Sequence, residues 1–117
     1  MKWEVVELMG YAYFAEKGYR ICVPLVQNSG YDFVAEKDGE FLRVNVKKAG
    51  LKVKGQPNSW SISQASGSLG KDFSSDSQCD VYLAYLPNVG RFIEIDGQFF
   101  KGCKSKSKII PARLFLA

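Results

Sequence analysis

One hairpin pattern constrains the fold of this chain more than any other feature of its sequence. Apolar and polar residues alternate over residues 41–48, as they do in a strand with one buried face. The two faces carry Leu42, Val44 and Val46 on one side and Arg43, Asn45 and Lys47 on the other. An Asp-Gly turn at residues 37–39 precedes this strand, and the apolar run 31–35 supplies its partner. The sequence therefore predicts an antiparallel hairpin with one apolar and one polar face.

Further helix and strand patterns flank the hairpin. A helix is predicted over residues 2–17, because apolar residues recur at three- and four-residue intervals and Gly18 suits its C-terminal cap. The recurring residues are Val5, Leu8, Ala12 and Ala15. Other strands are predicted at residues 19–26, 60–62, 80–86 and 91–95. These elements favour the α/β (α+β) class, with one N-terminal helix packed on a mixed β-sheet of about five or six strands.

Length and composition narrow the class of protein. The 117 residues suffice for one domain, predicted to span residues 1–117. The sequence contains no histidine, which excludes histidine general bases, Ser-His or Cys-His triads and His-containing zinc sites. No apolar run is long enough for a membrane helix, and no secretion signal is visible. With three widely spaced cysteines, these features predict a chain that works inside the cell without a membrane partner.

The charges are unevenly distributed along the chain. The net charge is +4, yet segments 41–71 and 97–117 contain no acidic residue and hold 11 of the 16 basic ones. A basic surface beside an acidic region is typical of proteins that bind polyphosphate and place metal against it. Candidate DNA contacts are Arg43, Lys48, Lys52, Lys54, Lys71, Lys104, Lys106 and Lys108. The alternative is a domain whose lysines are simply solvated.

Three polar residues of the hairpin are suited to chemistry. Asp32 interrupts an otherwise apolar strand, and a carboxylate there needs a cation or several hydrogen-bond donors. Asn45 and Lys47 share a face of the next strand, so the hairpin brings all three together. Phosphodiester hydrolysis needs this combination, namely oxygen ligands for Mg²⁺ and a cation near the attacking water. The alternative is an ordinary hairpin with one exposed aspartate and one exposed lysine.

The order of these features resembles that of a nuclease family. A helix with a glutamate is followed by Gly-Tyr, by a Tyr-Asp-Phe-Val strand at residues 31–34, by the Asp-Gly turn, and by Phe-Leu-Arg-Val-Asn-Val-Lys-Lys-Ala at residues 41–49. This order resembles the PD-(D/E)XK nuclease superfamily. More narrowly, it is similar to the small branch that contains the cyanobacterial group I intron homing endonuclease. The resemblance implies a restriction-endonuclease-like core.

The resemblance also implies roles for individual residues. Asp32 would be the central metal ligand, and Lys47 would position or activate the nucleophilic water. Glu7 matches the helix glutamate that completes the acidic cluster, with Glu4 as the fallback one turn earlier. Asn45 occupies the middle position, which is usually Glu, Asp or, in this branch, Gln. The neutral and shorter Asn45 is a departure from the pattern that bears on activity rather than on the fold.

The implied function is that of a Mg²⁺-dependent, homing-type endonuclease that cleaves double-stranded DNA, with Mn²⁺ able to substitute. Such an enzyme would work in the cytoplasm of a bacterial or phage-infected cell. A homodimer or homotetramer is expected, because so small a core covers little DNA and because segment 109–116 is apolar. The alternatives are a Holliday-junction resolvase or repair nuclease on the same core, or a catalytically silent DNA-binding protein.

Overall fold

The computed structural model describes residues 2–25, 30–51, 60–63, 79–87, 89–100 and 107–110. Within these ranges the chain forms one α-helix, eight strands and a short 3₁₀ helix. They are α1 (Trp3–Glu16), β1 (Arg20–Cys22), β2 (Phe33–Lys37), β3 (Glu40–Lys48), β4 (Gly50–Leu51), β5 (Trp60–Ser63), β6 (Val81–Leu86), β7 (Arg91–Asp96), the 3₁₀ helix (Gly97–Phe100) and β8 (Ser107–Ile110). None of the helices formed by the described residues is long and apolar enough to cross a membrane.

The described strands form two sheets. The larger has the order β1-β2-β3-β6-β7, and β3 pairs with β6 in parallel while the other pairs are antiparallel. This arrangement confirms the predicted helix on a mixed sheet. The second sheet is antiparallel and has the order β4-β5-β8. Strand β5 was predicted from the sequence, whereas β4, β8 and their separate sheet were not, because such short strands lack an alternating pattern long enough to recognise.

The predicted hairpin is confirmed as β2 and β3. Phe33 pairs with Val44 at one end and Lys37 with Glu40 at the other. The turn residues Asp38 and Gly39 both have positive φ, 52° and 83°, as a two-residue hairpin turn that matches strand twist requires. Strand β2 begins two residues later than predicted, which leaves Asp32 just before its first residue. Strand β1 is also shorter than the predicted 19–26 and ends at Cys22, two residues before Pro24.

The helix has its predicted position but packs through a different face. Val5, Leu8, Ala12 and Ala15, whose spacing predicted the helix, are all exposed. The buried residues are Val6, Gly10 and Phe14. Apolar side chains occur around the whole helix, so the three- and four-residue spacing identified one apolar stripe without showing which stripe meets the sheet.

Two apolar layers cover the larger sheet. Between α1 and the sheet lie Val6, Phe14, Phe33, Ala35, Val44, Val46, Leu83 and Tyr85. The second layer contains Ala49, Ile62, Cys79, Tyr82, Ala84, Leu86, Ile93 and Ile95. Strand β3 is central in the sheet and contributes Val44 and Val46 to the first layer. The polar residues of β3 therefore project on the other side, beside the second layer.

Candidate active site

Asp32 is held against the middle of β3 by two hydrogen bonds. Its carboxylate oxygen Oδ2 accepts the backbone N–H of Val46 at 2.6 Å, and its own N–H donates to the carbonyl of Val44 at 2.8 Å. Val46 lies between Asn45 and Lys47 in the sequence. The carboxylate therefore meets β3 at the segment that carries the other two candidate residues.

Asn45 is oriented by the loop that leads to Asp32. Its amide nitrogen Nδ2 donates to the carbonyl of Gly30 at 3.4 Å. The nitrogen and oxygen of an amide lie on opposite sides of Cγ, so this bond turns Oδ1 away from Gly30. The carbonyl oxygen is the only amide atom that can ligate a cation. The geometry therefore engages the nitrogen and directs the ligating atom elsewhere.

Lys47 is buried. Only 7% of its surface is exposed, and among the residues that the structure describes it is the one charged residue that is buried. In the parallel pairing it lies opposite Ala84 of β6, while Asn45 lies opposite Tyr82. Placing an ammonium group out of water is costly, so such a lysine usually has a specific role or partner. The expectation of an ordinary exposed hairpin lysine is therefore wrong.

Helix α1 places the carboxylate of Glu7 in contact with Tyr11. The Tyr11 hydroxyl donates to Oε1 of Glu7 at 2.8 Å. Burial raises the pKa of Tyr11 to about 12, with further contributions from the hydrogen bond to Glu7 and from the negative charges of Glu7 and Asp32. Both carboxylates thus act on one tyrosine. The fallback residue Glu4 is exposed in the first turn of the helix.

Tyr11 is a residue that the sequence analysis missed. Its ring packs edge-on against Phe33, with ring centroids 4.9 Å apart, next to Asp32 in the chain. The available signal was its spacing of four residues from Glu7, which places two side chains on the same helical face. Gly10 sets the separation of helix and sheet here, because a Cβ at that position would lie 3.0 Å from Cγ2 of Val46.

The expected ligands suit a divalent cation that prefers oxygen. They are the carboxylates of Asp32 and Glu7 and the amide oxygen of Asn45, and Mg²⁺ in enzymes is commonly held by one or two carboxylates together with water and substrate phosphate. No group of three or more Asp, Glu, His or Cys residues that could hold a metal occurs in the part of the chain that the structure describes. Asp32 is bonded to the β3 segment that carries Asn45, whereas Glu7 lies on α1, which packs on the Val44 and Val46 face of the sheet. The chemistry of the three groups fits Mg²⁺, and their assignment as ligands stays a prediction.

Arg43 has a partner that the sequence analysis did not consider. Its guanidinium donates to both carboxylate oxygens of Asp80 at 3.0 Å, and its backbone N–H donates to Oδ2 at 2.8 Å. These hydrogen bonds hold the pKa of Asp80 below its usual value and raise that of Arg43. Contact of Arg43 with DNA stays a prediction.

The remaining basic candidates are only partly within the described structure. Lys48 is exposed at the end of β3, beside Lys47. Lys108 lies in β8, which also contains Ile109 and Ile110 of the apolar segment 109–116. The others lie outside the described residues, and they are Lys52, Lys54, Lys71, Lys104 and Lys106.

The fold is that of a restriction-endonuclease-like core. A family model described as PD-(D/E)XK endonuclease matches residues 4–108, so the chain belongs to this family. Among solved structures, the chain is similar to a bacterial homing endonuclease, I-Ssp6803I, with a TM-score of 0.70 and 16% sequence identity over 92% of this chain and 70% of that one. At this identity the likeness concerns the fold. No curated protein matches the chain in sequence.

Membership of this family confirms the predicted class and enzyme type. The protein is an endonuclease, a hydrolase that acts on phosphodiester bonds, and the family implies DNA as its substrate. Nucleases of this family generally use divalent metal ions. The family match does not test the individual site residues, which stay predictions.

Proposed function

We propose that this protein is a Mg²⁺-dependent endonuclease of the homing type that cleaves double-stranded DNA, with Mn²⁺ able to substitute for Mg²⁺. Its site would consist of Glu7, Asp32, Asn45 and Lys47. The observation that carries this proposal is the bond from Val46 N–H to Asp32, which joins the carboxylate to the β3 segment between Asn45 and Lys47. The burial of Lys47 on that segment supports it independently.

Each residue of the proposed site has a distinct task. Glu7, Asp32 and Asn45 would hold the metal ion, which when bound supplies Lewis acidity to the phosphate and lowers the pKa of water. Lys47 would present its ammonium group to the attacking water and to the negative charge that develops on the phosphate. Because Lys47 is sheltered from bulk solvent, its charge acts on the phosphate with less screening than an exposed lysine would have. No histidine is needed for this chemistry.

The DNA backbone would be held by basic residues around the site. We assign phosphate contacts to Arg43, Lys48, Lys52, Lys54, Lys71, Lys104, Lys106 and Lys108. Lysine is a point charge without a fixed hydrogen-bonding geometry, so these residues would contribute affinity more than sequence readout. The whole chain, residues 1–117, would act as a single nuclease domain. A DNA substrate implies a location inside the cell.

We further propose that the active form is a homodimer or homotetramer. A domain of 117 residues covers too little DNA to read a long site alone, whereas a symmetric oligomer reads two half-sites. The outer face of α1 supports association, because Leu8 is 62% and Val5 42% exposed, with Ala12 and Ala15 beside them. The homing type is supported by the fold shared with a bacterial homing endonuclease.

Cleavage of supercoiled plasmid tests the central proposal. We expect nicking and linearisation in Mg²⁺ or Mn²⁺ and none in a chelator. Binding without cleavage under all metal conditions would instead favour the silent DNA-binding protein. Comparison of a four-way junction with a linear duplex of the same sequence then separates the homing-type enzyme from a resolvase, and clear preference for the junction would contradict the homing assignment.

Analytical ultracentrifugation tests the assembly. The wild-type protein is expected to sediment as a dimer or larger species at tens of micromolar, with and without DNA. Leu8→Asp places a charge on the outer face of α1 and should shift the population towards monomer. Val89→Asp is the matched control, because Val89 is also an exposed apolar residue but lies in the turn before β7. A wild-type monomer under all these conditions would overturn the assembly proposal.

A further inference from the structure

Tyr11 forms a physical link between the helix and the strand that carry the candidate metal ligands. Its hydroxyl donates to Oε1 of Glu7 at 2.8 Å, and its ring packs edge-on against Phe33, the residue after Asp32. One end of the side chain therefore contacts a carboxylate, and its ring contacts the beginning of β2. Tyr11 thus contacts both Glu7 on the helix and the residue that directly follows Asp32.

This link restricts the Glu7 carboxylate. A glutamate side chain on a helix surface samples many rotamers, and each one presents its oxygens differently. A donor bonded to Oε1 selects rotamers in which that oxygen meets Tyr11 and leaves Oε2 on the other side of the carboxylate. The selected orientation is stable because the ring that supplies the donor is itself held by Phe33 and partly buried.

The packing of α1 keeps this arrangement close to β3. Gly10, next to Tyr11, allows the helix to approach Val46 so closely that a Cβ would be only 3.0 Å from a valine methyl group. Val46 is the residue whose N–H holds Asp32. The contact between Gly10 and Val46 therefore places Tyr11 near the strand residue that binds Asp32.

We propose that Tyr11 is a positioning residue for the metal site, which holds the Glu7 carboxylate in a ligating orientation beside Asp32. This inference rests on the proposed function, because it requires Glu7 to be a metal ligand. Tyr11 itself contacts neither the metal nor the reacting phosphate. Groups that orient metal ligands in this way typically change metal affinity by about 10- to 100-fold when they are removed.

The helix also contains a matched control. Tyr13 donates its hydroxyl to Oε2 of Glu94 on β7 at 2.6 Å, and Lys17 bonds to both of these groups. Like Tyr11→Phe, Tyr13→Phe therefore removes a tyrosine hydroxyl from α1, and the hydrogen bond that is lost is again one to a glutamate. Its effect measures what the loss of a tyrosine–glutamate bond does to the fold alone.

The experiment compares Tyr11→Phe with Tyr13→Phe and the wild type. Phe keeps the ring and its packing, so both variants should fold, as thermal unfolding will show. Binding of Mn²⁺ to the protein without DNA is measured by electron paramagnetic resonance. Tyr11→Phe should weaken Mn²⁺ binding about tenfold and raise the Mg²⁺ concentration for half-maximal plasmid cleavage by a similar factor, while the rate at saturating Mg²⁺ stays near wild type. Tyr13→Phe should change neither quantity.

A second comparison tests whether Tyr11 acts through Glu7. In a Glu7→Gln background the proposed ligand is already impaired, so adding Tyr11→Phe should cause little further loss of Mn²⁺ affinity. Three outcomes would each overturn the inference: Mn²⁺ affinity in Tyr11→Phe equal to that of the wild type, equal losses in the two tyrosine variants, or a full additional loss when Tyr11→Phe is added to Glu7→Gln. If the wild-type protein still cleaves DNA, none of these outcomes affects the proposed function. A wild-type protein that neither binds Mn²⁺ nor cleaves DNA would overturn both.

Discussion

Asp32 and Asp80 flank β3 from opposite sides and are held by it in nearly the same way. Each carboxylate accepts a backbone N–H of β3, from Val46 at 2.6 Å and from Arg43 at 2.8 Å. The backbone N–H of each aspartate also donates to a carbonyl of β3, that of Asp32 to Val44 at 2.8 Å and that of Asp80 to Arg43 at 2.9 Å. The two residues therefore share their local hydrogen-bond geometry. They also interact with different residues.

The groups around the two aspartates favour different roles for them. The Arg43 guanidinium donates two further hydrogen bonds to Asp80, which satisfies both carboxylate oxygens and ties β6 to β3. The negative charge of Asp32 contributes, with that of Glu7, to the raised pKa of Tyr11. Carboxylates that act on one partly buried group are common at functional sites. The comparison therefore favours a stabilising role for Asp80 and supports the catalytic role proposed for Asp32.

The largest expected effect is the loss of cleavage when a residue of the proposed active site is replaced. Asp32→Ala and Lys47→Ala should each reduce plasmid cleavage on the order of 10²-fold or more, because a metal ligand or a transition-state cation is lost. DNA binding, measured by gel shift, should stay within a few-fold of wild type. A variant that cuts at nearly the wild-type rate would show that the residue lies outside the site.

A smaller change is expected from restoring a charge to the site. Asn45→Asp supplies an anionic oxygen ligand of the same length, so Coulomb attraction should lower the Mg²⁺ concentration for half-maximal cleavage several-fold. A Mg²⁺ titration of plasmid cleavage measures this directly. Identical curves would mean that Asn45 does not contact the metal. Cleavage by the Asp variant but not by the wild type would favour the silent DNA-binding protein.

Replacement of Asp80 should lower stability and leave cleavage intact. Asp80→Ala removes the partner of Arg43 and should lower the free energy of unfolding by about 1–2 kcal/mol, a modest value because both side chains are partly exposed. Urea unfolding at neutral pH measures this change. The cleavage rate per folded molecule should stay within a few-fold of wild type. A loss comparable to that of Asp32→Ala would remove the distinction between the two aspartates.

The smallest expected effect is the pH dependence of that stability difference. The pKa of Asp80 is lower in the folded protein than in the unfolded chain, so the folded state binds fewer protons at Asp80 than the unfolded state does. Its stabilisation is therefore complete above the unfolded pKa of about 3.9 and is lost as pH falls through the folded pKa. Urea unfolding of wild type and Asp80→Asn should converge at acidic pH. A constant difference would show that the bond does not depend on the Asp80 charge.

Much of this protein was determined by local sequence. The Asp-Gly turn and the alternation over residues 41–48 specify the β2–β3 hairpin, because turn conformation and side-chain alternation depend on near neighbours in the chain. That hairpin alone brings Asp32, Asn45 and Lys47 to adjacent positions, which is why the nuclease family and the candidate site could be predicted. The helix was equally visible, since its apolar spacing and its end before Gly18 are local properties.

Only the tertiary structure decided which groups meet across the fold. The sequence predicted the helix but not the face through which α1 packs, because apolar side chains surround the helix and the choice depends on which of them fit the sheet, where Gly10 and Phe14 pack. The burial of Lys47 depends on β6, which is paired with β3 across more than 30 intervening residues. The partners Arg43 and Asp80, and the approach of Tyr11 to Phe33, likewise join distant segments. Such contacts are determined by packing, and no local pattern encodes them.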